Sequence, residues 1–219
     1  MNPERAAAFV RTYTRLMRPP QVPELRLHLA EDAFGLWKRT EEEMGHPGVP
    51  PPYWAFAWPG GQALARYLLD HPAVVLGRSV FDLGSGSGLV AIAAARAGAA
   101  AVTAGDVDAF AVAAIGLNAE ANDVSVTCSL GDVLEGDGAD ADVVLAGDLF
   151  YERPTAERVL RFLTRAEARG ADVLVGDPGR DYLPRPHFEA LATYEVAVPP
   201  GLEDRAVKVT NVLRPVARP

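Results

Sequence analysis

With 219 residues, 49% of them hydrophobic and 23% charged, the chain is long and apolar enough for one domain with a sizeable core. A formal charge of -8 and a pI of about 5.0 argue against a nonspecific grip on nucleic acid, which needs a basic face, and suit a cationic partner. The lone Cys128 excludes an internal disulfide or a cysteine-rich metal site, His28, His46, His71 and His187 lack ligand spacing, and no uncharged apolar run approaches the ~20 residues that span a bilayer; the expectation is a cytoplasmic protein with no metal and no membrane contact.

The first segment, NPERAAAFVRTYTRLMR, sets Arg5, Arg11, Arg15 and Arg18 against a single Glu4 and so imitates an organelle transit peptide. It lacks serine, and Phe9, Tyr13, Leu16 and Met17 share one face behind Asn2 and Pro3, which predicts a helix of the mature protein. Pro19, Pro20 and Pro23 end that helix, and ELRLHLA alternates like a short strand. A helix over 32–44 places Ala33, Leu36, Trp37 and Thr40 on one side, and HPGVPPPYW reads as a stiff, extended connector. Residues 1–50 are therefore expected to form a small N-terminal helical appendage, with the main domain over 51–219.

From Trp58 onward, short apolar strands alternate with helices: RSVFDLG, a helix over 87–97, AVTAGD, a helix over 109–121, VSVTCS, DVVLAGD, a helix over 155–168, and DVLVGD. This alternation predicts an α/β fold with crossover connections and a parallel sheet covered on both faces. TYEVAVP and AVKVTNVLRP, joined by the short PGLED turn, predict an antiparallel hairpin at the end of that sheet.

FDLGSGSGLV follows a strand and opens a helix, so Gly84, Gly86 and Gly88, with Ser85 among them, let backbone amides approach a ligand at a helix N-terminus. Its order, G-x-G-x-G, lacks the third glycine of the nicotinamide fingerprint, the lysine of a phosphate loop and the serine of a hydrolase elbow. Asp82 stands at the loop entrance and no Lys or Arg lies between Arg78 and Arg96, so a pyrophosphate would meet a like charge. S-adenosylmethionine, which carries an α-ammonium and a sulfonium, suits this loop. Asp106, with Val107 beside it, closes AVTAGD where a carboxylate can accept both ribose hydroxyls, and Asp132 of SLGDVL stands where an adenine amino group could be read. Each acid alone could serve as a turn or helix cap; together with the loop order they form a cofactor constellation.

With PPPYWAFAWPGGQALARYLLD, GDLFYE and GDPGRDYLP in the same order, the chain resembles the seven-strand class I methyltransferases from about Pro50 to the C-terminus, and within them the lysine methyltransferases that modify the electron transfer flavoprotein β-subunit. The resemblance implies a doubly wound, mostly parallel, Rossmann-like seven-strand sheet with an antiparallel C-terminal hairpin. It implies that Trp58 borders the cofactor, that Gly84 and Gly86 face its methionine part, that Asp106 holds the ribose, and that Asp132 and Val133 border the adenine. Gly147, at the strand end before Asp148, is counted with the cofactor's surroundings. Asp148 to Tyr151 would face the acceptor, with Asp148 and Tyr151 as the catalytic candidates. The implied partner is the electron transfer flavoprotein β-subunit; the wider family extends to a ribosomal stalk protein, and a small-molecule amine is the alternative acceptor.

A lysine with a reference pKa of about 10.4 arrives protonated. Asp148 is expected to receive and orient it by a charge-assisted hydrogen bond, while Phe150 and Tyr151 desolvate it and favour proton loss. GDPGRDYLP brings Asp177 and Arg180 to the same rim as acceptor-lining candidates, with Pro178 and Gly179 making the turn.

Overall fold

The computed structural model describes residues 2–138, 140–199 and 202–216. Helix α1 (Pro3–Tyr13) begins where its caps predict: the Asn2 side chain accepts the Glu4 N–H and Pro3 sets the first turn. It stops at Tyr13, short of the prolines, because Arg15–Met17 (β1) leaves the helix to pair antiparallel with Leu27–Leu29 (β2). The expected apolar face is broken as a result; Phe9 is buried, whereas Tyr13 and Leu16 are exposed. Helix α2 (Ala33–Met44) is capped by Asp32, which accepts the N–H groups of Phe34 and Gly35, and closes on left-handed Gly45. The proline segment that follows contains one 3-10 turn at Tyr53–Ala55, which buries Trp54.

The main unit then alternates as expected. Helix α3 (Pro59–Asp70) precedes β3 (Ser79–Leu83), α4 (Leu89–Arg96), β4 (Ala101–Asp106), α5 (Ala109–Ala121) and β5 (Thr127–Leu130). After these come β6 (Val143–Gly147), α6 (Arg153–Ala168), β7 (Asp172–Asp177), β8 (Phe188–Ala197) and β9 (Val207–Pro215). The sheet order is β5-β4-β3-β6-β7-β9-β8, parallel through β7 and antiparallel in the terminal hairpin, the doubly wound arrangement the sequence predicts. Strand β8 starts at Phe188, upstream of the predicted TYEVAVP, and Pro200 and Gly201 of the predicted turn lie outside the described residues.

Period-two alternation on β6 builds both faces of the core. Val143 and Leu145 pack with Leu64 and Leu68 of α3 and Val90 of α4, while Val144 and Ala146 pack with Phe162 and Leu163 of α6. The first fifty residues cover α5 rather than standing apart from it. Phe9 lies 4.8 Å from Phe110, Asn118 accepts the His28 N–H at 2.6 Å, and Asn122 accepts the Arg26 N–H at 2.9 Å. Because β3 to β7 are parallel, Leu83, Asp106, Leu130, Gly147 and Asp177 all end on one rim.

Candidate active site

One half of the rim is made chiefly of backbone. Gly84, Gly86 and Gly88 take φ of 60°, 56° and 80°, the left-handed region that glycine enters without strain, and Gly88 opens α4. Asp82 is 1% exposed, and its Oδ2 accepts the Ser85 hydroxyl and, at 3.1 Å, the Ala91 N–H. Through Oδ2 it fastens the loop to α4, at the loop entrance where a cofactor contact is expected of it. Burial pushes its carboxyl up to about 7 against these two donors. Gly88 is also buried, against Ile115, and a Cβ there would lie 3.3 Å from that residue's Cα, so the position also serves helix packing.

Asp106 joins this half directly. Its Oδ2 accepts the Gly86 N–H at 2.8 Å and its Oδ1 the Asp108 N–H at 3.0 Å, while burial raises its pKa. Beside it, Val107 is 70% exposed and Leu130, opposite Asp106 in the ladder, is 58% exposed. Two adjacent strand ends thus offer an apolar platform, with Val133 half-buried nearby in the chain. Leu130 was missed in the sequence, although it is the residue that ends the third strand. Asp132 is exposed and engaged elsewhere. Its Oδ1 accepts the Leu134 N–H, its Oδ2 pairs with Arg158 of α6 at 2.8 Å, and Arg158 holds its carboxyl below the ordinary range.

The other half is made of side chains. Asp148 follows β6 in a left-handed conformation, φ 58°, which Asp tolerates better than most residues. Its Oδ2 accepts the Gly61 N–H at 2.9 Å, in the first turn of α3, and its Oδ1 accepts Arg180 Nη2 at 2.8 Å. Burial raises its pKa, and Arg180 opposes that shift. Close approach of α3 makes this geometry possible. A Cβ on Gly147 would lie 3.0 Å from the Gly61 Cα, one on Gly176 2.0 Å from the Gly60 oxygen, and one on Gly60 2.5 Å from Asp148 Oδ2. Gly147 is therefore required for packing α3 against the sheet, at the same rim where it is expected to border the cofactor.

The chain reversal at Asp148 sorts the residues after it. Leu149 lies against the glycine loop, its Cδ2 2.6 Å from where a Gly84 Cβ would stand. Phe150 is fully buried in the core and meets Phe188 edge-on at 6.0 Å. It cannot wall an acceptor pocket, contrary to expectation, because one reversed residue turns the following side chain inward. Tyr151 points out, with its ring 5.3 Å from Tyr53, which in turn lies 5.9 Å from Trp58. Burial pushes the Tyr151 phenol up to about 12, so it stays protonated near neutrality.

Asp177 and Arg180 meet Asp148 as expected. Asp177 Oδ1 accepts the N–H groups of Gly179 and Arg180 at 2.6 and 2.7 Å, while burial pushes its carboxyl up to about 6. The Arg180 guanidinium lies 5.7 Å from the Trp58 ring centroid and also reaches Glu203. Tyr53 and Gly61 lie within the PPPYWAFAWPGGQALARYLLD motif but are not singled out by it, and Glu203 reads only as part of a turn.

The left-handed glycines, the rim carboxylate of Asp106 and the exposed Val107–Leu130 platform fit a nucleoside-bearing cofactor with a cationic amino-acid tail. Residues 63–150 match the family model for ribosomal protein L11 methyltransferase. Over 208 residues the chain is 36% identical to the electron transfer flavoprotein beta subunit lysine methyltransferase of Xenopus laevis, covering 90% of this chain and 83% of that protein. It belongs to that family. The Danio rerio protein of the same name is 44% identical over 160 residues, covering 72% of this chain but only 61% of its own length. Among solved structures, a candidate RNA methyltransferase from Pyrococcus horikoshii superimposes with a TM-score of 0.59 at 18% identity, covering 78% of this chain and 91% of that one, and shares the fold. The cofactor of this methyltransferase family is S-adenosylmethionine, which the donor half of the rim fits.

Proposed function

We propose that this family member transfers methyl groups from S-adenosylmethionine to lysine side chains of a partner protein, the acceptor being the electron transfer flavoprotein β-subunit for which its relatives are named. The observation that carries the reading is Asp148: a carboxylate on the rim, anchored by the N–H of Gly61 and paired with Arg180, whose guanidinium lies 5.7 Å from the Trp58 ring in the cluster of Tyr53, Trp58 and Tyr151.

Gly84, Gly86 and Asp106 hold the donor, and Val107, Leu130 and Val133 lie along its adenine. Bound there, S-adenosylmethionine would supply an electrophilic methyl group to the acceptor nitrogen. Asp148 binds the incoming ammonium and fixes its direction. Tyr53, Trp58 and Tyr151 strip water from it, which lowers the lysine pKa from about 10.4 and releases its proton to solvent. A carbon–nitrogen bond then forms as the carbon–sulfur bond breaks, leaving S-adenosylhomocysteine. The L11 methyltransferase model ends at residue 150, before Asp177, Arg180 and Glu203, so it supports the donor half and says little about the acceptor.

Incubation with labelled S-adenosylmethionine and a mixture of purified electron transfer flavoprotein, ribosomal protein L11 and free alkylamines tests this. Methyl-lysine on the flavoprotein β-subunit is the expected product. Label on L11 or on a free amine alone would replace the acceptor, and no lysine methylation at all would overturn the reading.

A further inference from the structure

Glu203, in the connection between β8 and β9, adds a fourth segment to the acceptor half. Its side chain is 8% exposed and its Oε1 accepts Arg180 Nη2 at 2.7 Å, while Asp148 Oδ1 accepts the same nitrogen at 2.8 Å. Two carboxylates thus clasp one nitrogen. Arginine often holds one carboxylate through its fork of two nitrogens, whereas here one nitrogen serves two carboxylates, both buried. A lysine ammonium, with three donors on one atom, can take the place of such a nitrogen.

The neighbouring groups are incompletely satisfied. Arg180 Nε and Asp177 Oδ2 are both buried without a hydrogen-bond partner among the described residues. A buried donor or acceptor left in that condition is costly, and a partner that satisfied it would be favoured. Asp177 feels the charges of both Asp148 and Arg180, so the unpartnered oxygen belongs to the same cluster. Lys208 reaches Glu203 through the other carboxylate oxygen at 3.3 Å, leaving Oε1 for the cluster.

Resting on the lysine reading above, we propose that Glu203 and Asp148 together form the seat of the acceptor ammonium. Arg180 Nη2 fills that seat in the free enzyme, and its guanidinium withdraws toward the unpartnered Asp177 Oδ2 when the acceptor enters. Glu203 is then a residue that selects a primary ammonium, and the β8–β9 connection is part of the acceptor site.

Glu203→Gln keeps the size and removes the charge. Its KM for the acceptor protein is expected to rise about thirtyfold or more, the effect of removing one partner of a buried charge pair, with affinity for S-adenosylmethionine unchanged. As a second measurement, n-butylammonium should inhibit the wild-type enzyme competitively against the acceptor but not against the cofactor, and this inhibition should weaken in Glu203→Gln. An unchanged acceptor KM, with or without a lower Tm, would leave Glu203 as a structural tie and overturn the proposal, as would failure of n-butylammonium to compete. Either result would leave lysine methylation intact, whereas absence of methyl-lysine in the wild-type reaction would remove both.

Discussion

The two halves of the rim are built by different means. The donor half rests on backbone: three left-handed glycines, the N–H of Gly86 turned to Asp106, and a buried Asp82 that ties the loop to α4. The acceptor half rests on side-chain charge and aromatic rings brought together from residues 53–58, 148–151, 177–180 and 203. A ligand held through backbone is recognised by shape that local sequence encodes, whereas a ligand held through side chains depends on which distant segments meet. Leu149, against Gly84 on one side and next to Asp148 on the other, is where the halves join.

Phe150 tests that division most severely, since it belongs to neither half. Phe150→Ala should lower stability by about 4 kcal/mol, as for other buried aromatics, read from denaturant unfolding. Phe150→Leu, which keeps most of the volume, should retain the acceptor KM; a raised KM in a well-folded Phe150→Leu enzyme would return Phe150 to the pocket wall.

Asp148→Asn separates the halves functionally. Turnover should fall on the order of a hundredfold, the scale of a positioned catalytic group, while equilibrium binding of S-adenosylmethionine is retained. Equal losses in turnover and cofactor binding would mean that the two halves are not independent.

The smallest effect concerns the donor half alone. The Asp82 carboxyl is raised by burial to about 7, above its unfolded value of about 3.9, so the folded state favours its protonated form. The corresponding stability is present below pH 4 and is lost as pH rises through about 7. Asp82→Asn should therefore flatten the decline in Tm between pH 5 and 7, with Asp177, raised to about 6, supplying part of what remains. Parallel Tm profiles for the two proteins would show that Asp82 is not the group that titrates.

Much of the fold was legible locally. Short apolar runs alternating with helices located β3 to β7, and Asn2, Asp32 and Asp108 cap their helices where such residues usually do. The glycine loop was legible too, because positive φ leaves a mark in composition. The extent of α1 was not: helical spacing continues through Leu16 and Met17, but pairing of β1 with β2 outweighs it. That Asp82 ties the loop to α4 and that Gly88 admits α5 closely was not legible, because both depend on packing between elements.

What the sequence determined by itself is the doubly wound sheet, its C-terminal hairpin and a cofactor loop built from Gly84, Gly86 and Asp106, since periodicity, capping and glycine conformation act within a few residues. Tertiary structure alone decided that Phe150 turns into the core, that Gly60, Gly147 and Gly176 admit α3 close enough for its first turn to hold Asp148, and that Arg180 joins Asp148 to Glu203. Those outcomes depend on contacts between residues at least 23 positions apart, and 87 apart for Gly61 with Asp148, for which no local propensity or period leaves a trace.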